Sequence, residues 1–487
     1  MKPLKTVPSR FRTSFSILGA ILLTACPASM SRAQAASNDS PFPVRVSANG
    51  RHLVDASGRP FLIHGDTAWI LIAQLTKDET EEYLENRRQK GFNTILVSLG
   101  ESDFPNNPAK NKYGDPMFTT PRDLSTPNEN FFAHADWVIQ KAAEKSVLVV
   151  LNPCYTAGGG PSEGLAQAVV DGGPTKCRNY GRFIGNRYKN YTNIIWQAMG
   201  DASPAPGAAL EQNWLEILLG IKEFAPSHHW SAHFYRWTTA LDQAAFAPHM
   251  TLDNAYGSNR TYIQALRAYN RTNPLPTFLH EAHYEGTGVP HYVTAENESP
   301  QMMRAQAYWT LLSGATGHFF GNHSVWAFGH PAYVRGRYTD SADWRAGMNS
   351  QGSREMVHVK ALFQGRAWHN LVPDQNHTVV TGGRGTFGVD DNTPGGDYVT
   401  AARTGDGSLV MAYVPSTGTG TRTITVDMAR LSGPAVARWY NPTNGTYAPI
   451  DGAALTNSGS REFTTPGDNG TGANDWVLVL QTRGKER

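Results

Sequence analysis

The chain has 487 residues, of which 40% are hydrophobic and 10% aromatic, enough for two or three domains with sizeable cores. Only 17% of the residues are charged and the net charge is +2, so the composition excludes the strongly basic surface typical of proteins that bind nucleic acid or anionic membranes. Few charges combined with 12 Trp and 19 Tyr suit a secreted protein that handles neutral, hydroxyl-rich ligands.

The N-terminus has the features of an export signal. Basic residues precede an apolar run over Phe15–Ala25, and small residues follow, which predicts a signal peptide over residues 1–36. Ala33–Ala35 resembles a signal-peptidase site, whereas Leu23–Cys26 resembles a bacterial lipobox that would place a lipid anchor on Cys26. Both routes predict a periplasmic or extracellular protein, in the second case anchored to the outer membrane. No other stretch is long and apolar enough to predict a membrane span.

A hairpin and then a long series of strands and helices are predicted next. Val44–Val46 and Leu53–Val54 flank the turn signal Asn49-Gly50. Eight apolar strands follow, each with a polar residue at its end and a helical stretch behind it, which predicts a (β/α)8 TIM barrel within residues 43–374. The predicted strands are Phe61–His64, Thr94–Leu99, Val147–Asn152, Ile194–Met199, Trp230–Phe234, Met250–Asp253, Thr277–His280 and Ala315–Phe320.

The C-terminal part, residues 375–487, differs in texture. Val372–Asp374 is predicted to be a linker, and short alternating runs between Gly, Pro, Asn and Asp follow it. These runs predict a small antiparallel β-sandwich with a hairpin turn at Asn444-Gly445. Its predicted strands are Leu409–Val414, Thr423–Val426, Ala435–Trp439 and Trp476–Leu480.

Acidic residues follow three of the predicted barrel strands, namely Asp66, Asp201 and Glu281. An acid at such a position is costly to desolvate unless it is paired or faces a cleft, and the strand ends of a barrel surround its catalytic mouth. Asp201 and Glu281 are three βα units apart, so they should face each other across that mouth. One protonated and one ionised carboxyl are the groups that glycoside hydrolysis needs. From the spacing alone, a helix cap at Asp201 and a salt bridge at Glu281 remain equally open.

Several runs, in the right order, resemble glycoside hydrolase family 140, the apiosidase-like hydrolases, with a C-terminal domain similar to the collagen-binding-like type. The likeness covers about residues 43–374 and extends more loosely beyond them. The runs that carry it are Phe61–Trp69, Lys90–Ile95, Met199–Asp201, Glu281–Gly286, Gly314–His318, Gly321–Trp326 and Trp368–Asp374.

The resemblance implies a retaining hydrolase with Asp201 as acid/base and Glu281 as nucleophile. It further implies a pentosyl substrate in plant cell-wall polysaccharide, with the apiofuranosyl side chains of pectin as the first candidate. The run Gly317–Gly321 departs from the Tyr- and Thr-containing pattern of relatives beside the sugar pocket. The resemblance is therefore more specific for the fold and the acid pair than for the sugar.

Further residues are expected around this mouth. Glu285 is expected to orient its neighbours or to be a surface charge, and His280–His283 lacks the spacing of a zinc motif. No metal, cofactor or nucleic-acid partner is predicted; the expected partner is an oligo- or polysaccharide. The residues expected to contact it are Asp66, Trp69, His233, Tyr284, Asn322 and Trp326.

Two alternatives for function and one for the cysteines remain open. The same barrel could carry an arabinofuranosidase-like or other retaining glycosidase, or the protein could bind carbohydrate or matrix without catalysis. The presence of both Asp201 and Glu281 weighs against the non-catalytic alternative. Export to an oxidising compartment predicts a disulfide between Cys154 and Cys177 across a Gly-rich loop, with two unpaired thiols as the alternative.

Overall fold

The computed structural model describes residues 40–100, 110–156, 164–286, 298–329, 343–391, 393, 395–418 and 420–482. The predicted signal peptide, with Cys26 and its two cleavage sites, lies outside the described residues.

A small antiparallel sheet precedes the barrel. Strand β1 (Arg45–Val46) pairs with β2 (Leu53–Val54), which confirms the predicted hairpin, and β3 (Pro60–Phe61) adds a third strand. Because Phe61 pairs with Leu53 in this sheet, the first barrel strand begins later than predicted, at Ile63.

Eight parallel strands form a nearly closed barrel, as the alternation of strands and helices predicted. Its first five strands and its last three run side by side in sequence order. The gap between the fifth and the sixth of these strands is bridged by a hydrogen bond from Leu252 N–H to Trp230 O at 3.0 Å and by the Asn254 amide, which donates to Ala232 O. The strands are β4 (Ile63–Thr67), β5 (Thr94–Ser98), β6 (Leu148–Asn152), β7 (Ile194–Met199), β8 (His229–His233), β9 (Asp253–Tyr256), β10 (Thr277–Glu281) and β11 (Gly317–Phe320).

The sixth barrel strand, β9, corrects the predicted position Met250–Asp253. The apolar residue that suggested an earlier start, Met250, caps a 3-10 turn over Ala247–His249 instead. The strand itself begins with two buried polar residues. Arg271 donates to Asp253 at 3.1 Å, and Asn254 contacts a ring nitrogen of His280 at 3.0 Å. Such a strand is not recognised from an apolar run, because its buried side chains are polar and are hydrogen-bonded to other groups inside the protein.

Helices cover the outside of the barrel. The helix that begins at Lys77 is capped by Thr76: its hydroxyl accepts from Glu79 N–H, and the Glu79 carboxylate accepts from Thr76 N–H at 2.9 Å. Among the described helices, none combines the length and apolar composition that a membrane-spanning helix needs. The described helices are α1 (Leu71–Gln74), α2 (Lys77–Gln89), α3 (Glu129–Glu144), α4 (Ala166–Tyr188), α5 (Ala209–Phe224), α6 (Tyr262–Tyr269), α7 (Pro300–Leu311), α8 (His323–Trp326), α9 (Trp344–Met348) and α10 (Gln351–Phe363).

Two antiparallel sheets make up the C-terminal part and confirm the predicted β-sandwich. The predicted linker is already structured: Leu371–Pro373 pairs with the strand Thr400–Thr404, and Asp374 accepts the N–H groups of Val379 and Val380. One sheet has the order β12 (Leu371–Pro373), β14 (Thr400–Thr404), β15 (Leu409–Val414), β20 (Trp476–Thr482), β17 (Ala435–Tyr440) and β18 (Tyr447–Leu455), and the other has the order β13 (Val380–Gly382), β16 (Thr423–Asp427) and β19 (Ser460–Thr464).

A buried charge cluster joins the barrel helices to the sandwich. Arg304 of α7 donates to Glu355 of α10 at 2.5 Å and to both carboxylate oxygens of Asp475, just before β20, at 2.8 and 2.9 Å. All three side chains are at most 5% exposed. A buried charge that loses its partner is strongly destabilising, so the cluster fixes the sandwich against one side of the barrel.

The predicted disulfide is not formed. Cys154 and Cys177 are both buried free thiols, and Cys177 Sγ donates to Val169 O at 3.4 Å. The expected loop is partly helical, because Gly172 and Gly173 lie inside α4, which kinks where Gly173 adopts a φ of 64°. Helical hydrogen bonds therefore order the described part of this segment without a covalent link. Burial raises the pKa of Cys177 to about 12, so its thiol stays protonated.

Candidate active site

The backbone at the end of β7 is strained. Met199, Gly200 and Asp201 have φ values of 63°, 152° and 51°, a left-handed run that L-residues with side chains rarely adopt. A Cβ on Gly200 would lie 2.4 Å from the ring of Tyr155, so only glycine fits there. Such conformations persist where the surroundings enforce them, and here the hydroxyl of Thr156 donates to Gly200 O at 3.0 Å. The turn brings the Asp201 carboxyl beside Glu281.

His233, the last residue of β8, connects the two acids. Its Nδ1 accepts from Asp201 N–H at 3.1 Å, so the ring N–H of the tautomer that makes this bond is on Nε2. Nε2 lies 2.8 Å from Glu281 Oε2, although the N–H direction departs from that of an ideal hydrogen bond. The His233 side chain is 1% exposed, so it holds the acids in place rather than offering an open sugar contact.

Asp201 has the environment of a proton donor. Burial raises its pKa, and the negative charge of Glu281 raises it further, whereas His233 and Arg236 act in the opposite direction. The hydroxyl of Tyr256, at the end of β9, also lies beside the carboxyl and lowers this pKa. Asp201 Oδ1 is buried, and the described part of the chain gives it no hydrogen-bond partner. A carboxyl in this situation keeps its proton to a higher pH than an exposed aspartate.

Tyr284 lies beside Glu281 and is held there by Trp69. The indole N–H of Trp69 donates to the Tyr284 hydroxyl at 2.8 Å, and that hydroxyl is also bonded to Glu281. Burial and the charge of Glu281 raise the pKa of Tyr284 well above its ordinary value, so the phenol stays a donor to the carboxylate. Trp69 is 5% exposed and packs against His233 with ring centroids 5.0 Å apart. The contacts of Trp69 therefore hold the Tyr284 hydroxyl in position.

Asp66 does not lie at the mouth. It is inside β4 rather than after it, is 0% exposed, and accepts from the Tyr83 hydroxyl at 2.5 Å. The guanidinium of Arg87 lies 3.4 Å away, and both partners belong to α2. Since successive strand residues point to opposite faces, Asp66 faces the helix layer. The expectation that Asp66 contacts substrate is therefore wrong, and its role is structural.

Asn322 also has a structural environment, and its expected sugar contact stays a prediction. It is 3% exposed and caps α8 by accepting from Ser324 N–H at 2.9 Å. Its amide lies 3.4 Å from Glu285, whose carboxylate accepts from Gly352 N–H at 2.7 Å and thereby anchors the start of α10. Trp326 is half-buried at the end of α8, and its sugar contact stays a prediction.

Comparison with known proteins identifies the family of this chain. The family model described as "Apiosidase-like, catalytic domain" matches residues 47–370, more than half of the chain. The protein belongs to this family. A second model, "Putative collagen-binding domain of a collagenase", matches residues 386–481.

Solved structures agree with this assignment. A structure titled "Glycoside hydrolase" is 26% identical, with a TM-score of 0.75, and the match covers 92% of this chain and 99% of that one. A Bacteroides vulgatus structure titled as a glycoside hydrolase of family 5 shares the fold at 22% identity, with a TM-score of 0.75 and coverage of 91% and 94%. No similar sequence is found among curated proteins. The protein is a glycoside hydrolase.

Sequence reasoning missed a group of residues at the mouth of this apiosidase-like barrel. Tyr235, Arg236 and Trp237 lie beyond the end of β8, after the buried Phe234, and Tyr235 and Trp237 are 46% and 37% exposed. The Arg236 guanidinium lies 5.9 Å from the ring centroid of Tyr256. The sequence signal that could have indicated them is the run Tyr-Arg-Trp close to the end of a predicted barrel strand. Within the described ranges, no group of three or more His, Cys, Asp or Glu side chains is arranged to hold a metal ion.

Proposed function

We propose that the protein is an exported retaining glycosidase that removes a pentosyl group, apiofuranosyl in the first instance, from plant cell-wall polysaccharide such as pectin. The observation that carries the proposal is the pairing of Asp201, whose pKa burial raises, with Glu281 through His233. Two carboxyls held in different protonation states are what double displacement requires.

In the first step, Glu281 attacks the anomeric carbon and forms a glycosyl ester, while Asp201 gives its proton to the departing oxygen. In the second step, Asp201, now ionised, takes a proton from water, and the water oxygen displaces Glu281. His233 keeps the nucleophile and the Asp201 backbone in register, because one imidazole contacts both. The hydroxyl of Tyr284 donates to the Glu281 carboxylate and helps to fix its orientation.

The surface beside the acids supports an acidic polysaccharide as substrate. Arg236 is exposed, and its side chain has no hydrogen-bond or ion-pair partner in the described part of the chain. Tyr235 and Trp237 on either side of it are exposed aromatic residues, which suit the faces of sugar rings. A cation between two such residues fits a polymer that carries uronic acid carboxylates, as pectin does.

The substrate is tested by incubating the protein with a panel of defined pectic and hemicellulosic oligosaccharides and analysing the products. Release of apiose is the expected result, and release of arabinose alone would favour the arabinofuranosidase-like alternative. Proton NMR of the first-formed sugar should show the anomeric configuration of the substrate. The inverted anomer would contradict double displacement, and hydrolysis of nothing in the panel would contradict the proposed substrate class.

Export is proposed from the N-terminal sequence and is tested separately. Mass spectrometry of the protein made in a bacterium with its own leader should show an N-terminus after Ala35 or Ala36. A lipidated Cys26 would select the anchored alternative instead, and an uncleaved leader would contradict both.

A further inference from the structure

A loop of the C-terminal domain reaches the barrel beside the catalytic strand ends. Asp391, between β13 and β14, is 3% exposed and contacts three consecutive residues of the segment between β9 and α6. Its carboxylate accepts from the N–H groups of Ser258 at 2.9 Å and Arg260 at 2.5 Å, and its carbonyl oxygen accepts from Asn259 N–H at 3.1 Å. One residue of the sandwich thus fixes the backbone of a barrel loop.

The same barrel loop binds the strand end that carries the proposed nucleophile. Gly257 N–H donates to the carbonyl oxygen of Glu281 at 3.0 Å. The side-chain oxygen of Asn259 lies 2.9 Å from Nε2 of His283, two residues beyond Glu281. Burial is the main factor that lowers the pKa of His283 to about 4, so near neutral pH the ring is uncharged and its Nε2–H donates to Asn259.

The sandwich loop and the barrel loop also pack closely against each other. A Cβ on Gly257 would lie 3.0 Å from the Asp391 carboxylate, so any side chain at this position would crowd Asp391. Arg260 also donates through Nε to Gly395 O at 3.1 Å. Tyr262, the first residue of α6, accepts from Gly388 N–H at 3.0 Å and packs against Phe387 of the same sandwich loop.

We propose that Asp391 is a positioning residue for Glu281, so that the C-terminal domain completes the active site instead of serving only as a separate binding module. The connection runs from Asp391 through Ser258–Arg260 to Gly257 and Asn259, and from these to Glu281 and His283. It rests on the proposed role of Glu281 as the nucleophile.

The substitution Asp391→Asn tests the connection with little change in volume. The amide retains one acceptor oxygen but presents an NH2 group to a backbone N–H, which leaves a buried donor without a partner. The loop should then shift, and with it the end of β10. A misplacement of about 1 Å at a reacting group can cost about 10²-fold in rate. We therefore expect kcat to fall about 10- to 100-fold while KM changes less than about threefold.

The matched control is Asp427→Asn in the same domain, because Asp427 also accepts a backbone N–H, from Ala429 at 3.1 Å. This control should keep the wild-type kcat. A second variant, Asn259→Ala, interrupts the same connection inside the barrel and keeps the proposal testable if Asp391→Asn folds poorly. If Asp391 and Asn259 act in series, the double variant Asp391→Asn/Asn259→Ala should lose no more activity than the more impaired of the two single variants. Additive losses, or a wild-type kcat in a folded Asp391→Asn protein, would overturn the proposal.

Hydrogen exchange gives a readout that needs no substrate. In Asp391→Asn, the amides of Ser258–Arg260 and of the segment 281–285 should exchange faster, whereas those of the barrel strand β5 should not. Faster exchange confined to the sandwich would contradict the connection. The kinetic comparison uses whichever aryl glycoside the wild-type enzyme hydrolyses. If the wild-type enzyme hydrolyses other aryl glycosides but no aryl pentofuranoside, the proposed substrate is contradicted. The test of Asp391 can still be made on the glycoside that is hydrolysed.

Discussion

In the sequence an aspartate follows each of two apolar runs, Phe61–His64 and Ile194–Met199, yet only one of these aspartates belongs to the candidate site. Asp66 lies within its strand, faces the helix layer and has no exposed surface. Asp201 lies two residues beyond its strand, after a left-handed turn, and is partly exposed beside Glu281. The difference shows that the phase of the strand and the backbone turn after it decide where an acid is placed.

Burial alone does not distinguish the two acids. It is the largest cause of a raised pKa for both Asp66 and Asp201. The partners differ: Asp66 Oδ2 is paired with Arg87 and Tyr83 of the helix layer, whereas Asp201 has a second carboxyl nearby. Oδ1 of each acid is buried without a hydrogen-bond partner among the described residues, so an unpartnered oxygen does not separate the two acids. A perturbed carboxyl therefore indicates catalysis only when its partners leave it accessible and coupled to another reactive group.

The largest effect is expected at the nucleophile. Glu281→Gln removes the charge that attacks the sugar, and turnover should fall by several powers of ten, on the order of 10⁴–10⁶-fold. The control is Glu285→Gln, four residues along, because Glu285 accepts hydrogen bonds at the start of α10 and is not placed at the mouth. Steady-state kinetics of both folded variants check this, and near-wild-type turnover by Glu281→Gln would refute the nucleophile assignment.

The next effect concerns Asp201 and depends on the leaving group. Asp201→Ala should slow the hydrolysis of natural linkages by about 10²–10⁴-fold, the usual contribution of a general acid. Aryl glycosides whose leaving groups need no proton should be affected much less in the first step, and added azide should restore the second step. Equal losses on both substrate types, without rescue, would show that Asp201 only caps the turn after β7.

At Asp66 the expected effect is on stability instead of rate. Asp66→Asn breaks a fully buried ion pair with Arg87, which typically costs about 3–5 kcal/mol of unfolding free energy. The folded fraction should keep nearly the wild-type kcat. Asp201→Asn is the matched comparison, because catalytic positions are often strained and their substitution seldom destabilises the fold. Urea unfolding of both variants checks the predicted loss of stability. A large loss of kcat in folded Asp66→Asn would show that Asp66 takes part in catalysis.

Much of the fold was predictable, because most of the barrel strands coincide with apolar runs and the sandwich strands alternate between clear turn signals. The exceptions have a physical cause: β9 buries the polar pair Asp253 and Asn254, and Phe61 joins the preceding hairpin sheet. For the site, the motif contexts indicated Asp201 and Glu281. The bridging role of His233 and the support from Asp391 depend on contacts between distant segments, for which a single sequence carries no local signal.

The smallest expected effect is a shift in pH dependence. The positive charge of Arg236 stabilises the ionised form of Asp201 and so lowers the pKa of this carboxyl, against the larger effect of burial. Arg236→Gln removes that charge, and Asp201 should then keep its proton to a higher pH. Because activity is lost on the alkaline side when the general acid ionises, the alkaline limb of kcat/KM should move to higher pH.

The measurement uses a neutral aryl glycoside. A contact between Arg236 and a substrate carboxylate then cannot contribute to the pH dependence of kcat/KM. Arg59→Gln is the control, since it removes the same charge from an exposed side chain that pairs with Asp55 in the N-terminal hairpin region. Its alkaline limb should coincide with that of the wild type. An unchanged limb in Arg236→Gln would mean that solvent screens the arginine from Asp201, and a shift to lower pH would mean that another group supplies the proton.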